Sequence, residues 1–233
     1  DADSIDLDEA ERLLTSAQEL KPNNPAPTLF MNHLYRAKGD LKKAMVAVKK
    51  AEQLAPNGSA AIKAEMQAAT ANTLVFLGDY SGARSAYKKA IETTELETQR
   101  RKLMLESAIT HLFERNFNQS ILDLTAFQDE MSTSEVGHAA WNMSSIRAAE
   151  WHKQRAFLFA RNKTEAEKSL KATDEYSAQY IDLIAKTMTG EPLETRKYGE
   201  KIWSKLRKIQ SALYLSDFES ARQQLEIFKP LVI

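Results

Sequence analysis

Four histidines, at positions 33, 111, 138 and 152, are the side chains of this 233-residue chain best suited to proton transfer or metal binding near neutral pH. No two stand three or four residues apart, the spacing that lets one helix face present two ligands. His138 and His152, if carried on one helix, lie about 21 Å apart at 1.5 Å per residue, too far to share an ion. The chain has no cysteine, which removes disulfides, thiolate nucleophiles and cysteine-bound zinc but identifies no compartment. It also lacks a Gly-rich phosphate loop, a Gly-x-Ser-x-Gly elbow and a His-Glu-x-x-His pair. The sequence therefore reads as non-enzymatic, with no catalytic residue, no metal and no cofactor.

Charge offers two candidate contacts. Lys197, Lys201, Lys205 and Lys208 step along one helical face, with Arg196 and Arg207 beside them, a face for phosphates or an acidic partner. The competing reading is a solvated face next to Glu194 and Glu200. Residues Asp1 to Glu11 carry six acids and no base, which would allow a weak head-to-tail self-association. Over the whole chain 32 Lys and Arg balance 32 Asp and Glu, so no global field gathers a polyanion and no nucleic acid is expected. The clearest apolar runs, Leu74 to Leu77 and Ala156 to Ala160, fall far short of the roughly 18 residues of a membrane span. Four Asn-x-Ser/Thr sequons, at Asn57, Asn118, Asn142 and Asn162, arise often by chance and assign no compartment.

The elements that must position these residues are legible as a repeat. Leu7, Ala10, Leu14, Ala17, Leu20, Pro22 and Asn23 recur as Leu41, Ala44, Val48, Ala51, Leu54, Pro56 and Asn57, each pair 34 residues apart. The apolar positions of a copy form one stripe of an α-helix, and Pro-Asn ends it. With only 13 Gly and Pro in all, and no Pro between Pro56 and Pro192, a turn-rich β fold is excluded.

A turn motif feeds these helices: Gly39-Asp40-Leu41, Gly78-Asp79-Tyr80, Arg115-Asn116-Phe117, Arg161-Asn162-Lys163 and Ser216-Asp217-Phe218. Asp or Asn suits an N-cap and Gly the tight turn before it. Three residues beyond each motif stands a small residue, Ala44, Ala83, Ser120, Ala166 or Ala221, where two helices must approach closely. Phe76, Phe113, Phe159 and Tyr214 lead into the later turns at a constant spacing. The layout is a lone helix at about 7 to 20 followed by helix pairs breaking near 39, 57, 78, 95, 116, 132, 162, 190 and 217, about eleven helices in all.

This grammar resembles the tetratricopeptide repeat family. Its best copy runs from Pro25 to Asn57, where Asn32, Tyr35, Gly39-Asp40, Ala44, Ala51 and Pro56-Asn57 sit at the family's spacing. It departs where the family favours Trp and Leu-Gly, the chain having Thr28 and Met31-Asn32. Equivalent turn positions 7, 41, 80, 117, 163 and 218 are 34, 39, 37, 46 and 55 residues apart, so the helices lengthen and residues 117 to 233 are only tetratricopeptide-like. The resemblance implies an all-α fold, a right-handed superhelix of antiparallel helix pairs, stabilised by nearest-neighbour stacking. One domain over 1–233 is expected, with its best repeats in 1–94 and longer, divergent pairs in 95–233. The chain opens on what reads as the second helix of a pair and ends on Phe228-Lys229-Pro230-Leu231-Val232-Ile233, so a longer protein is expected around it.

In that family the first helix of each pair lines a concave surface that receives ligands. The resemblance places Leu29, His33 and Arg36 there, then Asn72 and Val75, then Leu105 and Ile109. Further on it places Trp151, Arg155 and Leu158, then Trp203, Leu206 and Gln210. This implies a scaffold or adaptor that holds a peptide or helix of a larger assembly, with Trp151, Arg155 and Trp203 as anchors. The same aromatics would otherwise serve as core between long helices. A regulatory or sensing domain attached to a catalytic or DNA-binding domain outside these residues is the alternative. A clamp for the acidic carboxyl terminus of cytosolic chaperones is not expected, because the matching places hold Leu29, His33, Ala69, Asn72 and Lys102 instead of Lys and Asn pairs. Replacing Ala44 or Ala83 with Leu should overpack a close helix contact and cost roughly 1–3 kcal/mol in chemical denaturation, against no change if these residues face solvent.

Overall fold

The computed structural model describes residues 6–134 and 139–228, and every regular element among them is an α-helix. In order these are α1 Leu7–Leu20, α2 Pro25–Ala37, α3 Leu41–Leu54, α4 Ala60–Leu77, α5 Tyr80–Thr93, α6 Glu97–Phe113, α7 Phe117–Thr133, α8 Ala139–Phe159, α9 Lys163–Ile184, α10 Gly190–Tyr214 and α11 Phe218–Phe228. The contacts fall into two units, Asp1–Thr110 and His111–Ile233, divided within α6. His138, the residues from Asp1 to Ile5 and the run from Lys229 to Ile233 lie outside the described residues.

Each helix pair turns on the same joint. At the second joint Gly78 takes φ +79°, its N–H donates to the Val75 carbonyl, and the Asp79 N–H donates back to the Leu74 carbonyl. This is a Schellman closure, which satisfies carbonyls that the end of a helix leaves without partners. The Asp79 carboxylate then accepts from the Gly82 N–H at 2.9 Å and caps α5. Asp40, Asn116, Asn162 and Asp217 close one helix and cap the next in the same way. The left-handed residue is Gly39 or Gly78 at two joints but Arg115, Arg161 and Ser216 at the others, with φ of 63°, 57° and 57°.

In the first unit α2 packs on α3, α4 on α5, and α4 also against α2 and α3. The small residues three places beyond the turns are the contact points, Ala44 and Ala83 having no exposed surface. Val48, Ala51, Met66 and Ala69 form one core; Ala64, Ala68, Ala71, Ala83, Tyr87, Ala90 and Leu103 form another. Asn32, where the family favours Gly, is completely buried. Its amide nitrogen donates to the Ala44 carbonyl and to Thr73 Oγ1, both at 2.9 Å, and ties α2 to α3 and α4. A buried polar side chain is tolerated here because its hydrogen bonds are made. At the opening of the chain, three of the acids have partners within it: Lys38 pairs with Asp8 at 2.7 Å and with Glu11 at 2.5 Å, and Asp6 caps α1.

In the second unit α8 packs on α7 and α9, α10 on α9 and α11, and α8 touches α10. Ser120 and Ala166 are again fully buried. Helices here are longer: α8, α9 and α10 run to 21, 22 and 25 residues against 13 in α2. All three tryptophans, Trp141, Trp151 and Trp203, belong to this unit.

The joints predict opposite responses to glycine. A Cβ at Gly78 would meet nothing within 4 Å, so Gly78→Ala should lose about 1 kcal/mol from the left-handed backbone alone. Arg161→Gly, at an exposed residue already in that conformation, should gain up to about 1 kcal/mol in urea denaturation.

Candidate functional site

Two long helices, with residues of the helix between them, line a concave surface. On α8, Ser144, Arg147, Ala148 and Trp151 lie on one face at helical spacing; on α10, Thr195, Arg196, Gly199, Glu200 and Trp203 do the same. With Thr173 of α9 and with Met188, Glu191, Pro192 and Arg207, they line a cleft of about 880 Å³. Trp151 is half-buried, whereas Trp203 is 55% exposed.

The ion pairs of this cleft are largely internal. Arg147 pairs with Glu200 and its guanidinium lies 4.9 Å over the Tyr180 ring. Arg207 is only 7% exposed; it donates to Asp174 at 3.2 Å and to Ser177 Oγ at 3.4 Å. This corrects the sequence reading of Arg207 as part of an open basic face. The stripe of lysines turns one way on α10, and a residue two places past Lys205 turns inward. Lys208 meets Asp174 at 3.2 Å and Lys197 meets Glu194 at 2.8 Å, while Lys201 is exposed and Lys205 half-buried. Arg196, on the exposed rim, lines the cleft and makes no ion pair among the described residues.

One turn beyond Trp151, the Arg155 guanidinium lies 5.4 Å from the Trp151 ring and 5.9 Å from the Phe159 ring. Its Nη1 is 3.3 Å from His152 Nδ1. Guanidinium can only donate, so this nitrogen accepts and the imidazole is neutral. Burial, with the Arg155 charge adding to it, pushes His152 down to about 4. The aromatic line continues through Phe117, 6.0 Å from Phe159, and Tyr214, edge-on to Phe159 at 5.1 Å. Leu206 and Gln210 are half-buried along α10. Leu158, placed in the groove by resemblance, is 4% exposed and belongs to the packed interior.

The first unit places its seven residues differently. Leu29 packs on the Val48 core and Val75 on the Tyr87 core. His33 is exposed and accepts from Arg36 at 3.1 Å, and Arg36 lies 5.7 Å over the Phe76 ring. Asn72 accepts from the Tyr87 hydroxyl at 2.9 Å. Leu105 and Ile109 are half-buried on α6, with Glu106 between them held above the ordinary carboxyl value by burial. Glu65 and Glu106 both act on Arg36, so this face balances its own charge. Among the described residues no group of His, Asp and Glu is arranged to hold a metal ion, and no helix is long and apolar enough to cross a membrane.

Sequence reasoning missed Ser144, Arg147, Thr195 and Glu200. Counting back a fixed three positions from each turn stops short of them, although their spacing from Trp151 and Trp203 on the same helices would have extended the face by two turns.

Antiparallel helix pairs with a common joint define an α-helical repeat protein, a tetratricopeptide-like α-solenoid. Residues 33–57 and 64–95, from within α2 to just past α5, match the family described as tetratricopeptide repeat. Among solved structures the chain is similar to BtubC (BKLC) from P. vanneervenii, with a TM-score of 0.59 and 12% identity over 98% of this chain and 91% of that one. It is also similar to a putative kinesin light chain of Podosopora anserina with nearly identical TPR-like repeats, with a TM-score of 0.56 and 14% identity over 90% of this chain and 95% of that one. At these identities the likeness is one of fold. No curated protein matches the sequence.

The neutral His152 has a pH signature. Its ordinary value is 6.5 and its folded value about 4, so as pH falls below 6.5 the unfolded chain takes up a proton that the folded chain refuses. The stability it contributes is complete above pH 6.5 and is lost towards pH 4, up to roughly 3 kcal/mol. Urea midpoints at pH 7 and pH 4.5 should therefore differ less in His152→Gln than in the wild type.

Proposed function

We propose that the chain is a non-enzymatic interaction scaffold that holds a peptide or amphipathic helix of a partner protein along α8 and α10. The observation that carries this reading is Trp203, a large apolar side chain 55% exposed at the mouth of an 880 Å³ cleft it shares with Trp151. Tryptophan and arginine in a concave, partly desolvated setting are the residue types that dominate binding energy. From Ser144 to Phe159 the face spans about 22 Å along α8 at 1.5 Å per residue, room for two or three side-chain anchors one helical turn apart. The fold supports the same class of function, because helical repeats recur as protein-binding modules.

Leu29, His33, Arg36, Asn72, Val75, Leu105 and Ile109 form a second candidate contact face in the first unit. Lys197, Lys201 and Lys205 are candidates for an accessory basic contact on α10. The fold supports a protein as the kind of partner, and capture experiments identify the assembly to which it belongs.

The exposed tryptophan gives the test. Trp203→Ala should leave the melting temperature within a few degrees and weaken capture of the cross-linked partner by about 30-fold, the size of a binding hot spot. An unchanged partner list from the native cell, read by mass spectrometry, would move the contact away from α8 and α10.

A further inference from the structure

Arg155 is a partly covered charge of this groove that no acid among the described residues answers. Other covered arginines have acids: Arg147 has Glu200, Arg207 has Asp174, Arg101 has Glu97, and Arg36 feels Glu65 and Glu106. No carboxylate among the described residues forms an ion pair with Arg155, whose only hydrogen bond is to neutral His152. Its Nε is buried without an acceptor, and among the described residues its one hydrogen bond is the Nη1 contact with His152, which leaves the outer Nη edge open to a ligand. Trp151 and Phe159 stack near it and offset part of the cost of desolvating the cation, but an aromatic face cannot accept the in-plane N–H groups. A half-covered guanidinium with free donors is complementary to a carboxylate, the planar acceptor that it binds through two parallel hydrogen bonds.

We propose that Arg155 is the carboxylate-recognition point of the α8–α10 groove, so that the partner segment presents an Asp or Glu side chain between the Trp151 and Phe159 rings. The inference rests on the groove reading above and names the chemistry of its occupant. An internal side chain is favoured over a chain end because the surface continues on both sides of Arg155. Trp151 and the cleft lie on one side, and Phe159 and Tyr214 on the other, so a bound segment passes through instead of stopping. In the first unit Arg36 differs, because its Nε donates to Asn32 at 3.2 Å and the charges of Glu65 and Glu106 bear on it.

The test uses the full chain and an arrayed library of random dodecapeptides, acetylated and amidated at their ends, each acidic member paired with its Asn or Gln counterpart. The wild type should bind its selected peptides about tenfold more tightly than their amide counterparts, the scale of one charge-assisted hydrogen-bonded pair. Arg155→Gln should erase that ratio, while Trp203→Ala weakens acid and amide alike. Because the free protein loses no ion pair, Arg155→Gln should melt at or above the wild-type temperature. A marked fall in its melting temperature would make Arg155 structural and overturn the proposal. Binding that needs Trp203 but ignores acid-to-amide exchange, or keeps its acid preference in Arg155→Gln, would overturn the carboxylate assignment alone. An array with no Trp203-dependent binder would overturn the groove reading and this inference with it.

Discussion

At each of the five joints one Asp or Asn works in two directions. Its own N–H returns to a carbonyl five residues earlier and its side chain accepts from an N–H three residues later. Both bonds are local, so the distance between the end of one helix and the start of the next is fixed whatever the helices do elsewhere. The small residue that follows, Ala44 or Ala83 for instance, is held where the two helices touch. With the joint fixed, length can be added only at the far ends of a pair. The helices grow from 13 residues in α2 to 25 in α10 in that way, and the longer faces create the cleft between α8 and α10.

Most of this was legible in the sequence because it is local. A cap, a left-handed turn and a small contact residue are each specified within six positions, so the turns, the helix count and the buried alanines could be read directly. The tertiary sidedness of the long helices was not legible in the same way. Arg207 lies among lysines in sequence and turns inward to Asp174 and Ser177, contributed by another helix 30 or more positions away. Phe76, one of the aromatics that lead into the turns, is 61% exposed under Arg36, which its spacing alone did not specify. Asn32 reads as a departure from the repeat until Thr73, 41 positions on, supplies the partner that makes a buried amide acceptable.

The two units solve the same packing problem with different chemistry on their candidate contact faces. In the first, Arg36 lies over the Phe76 ring, donates to Asn32 and feels the charges of Glu65 and Glu106. In the second, Arg147 and Arg207 are matched by acids and Arg155 is matched by aromatic faces alone. Fold-level likeness carries none of this difference, since it resides in side chains that a repeat is free to vary.

The distribution of tryptophan gives the protein a built-in optical asymmetry. Trp141, Trp151 and Trp203 all sit in the unit from His111 onward, while the preceding unit has none. Indole emission therefore reports the second unit alone, whereas far-ultraviolet circular dichroism counts the helices of both. Should the units unfold at separate denaturant concentrations, the two signals part company and give each unit its own transition without any label being attached.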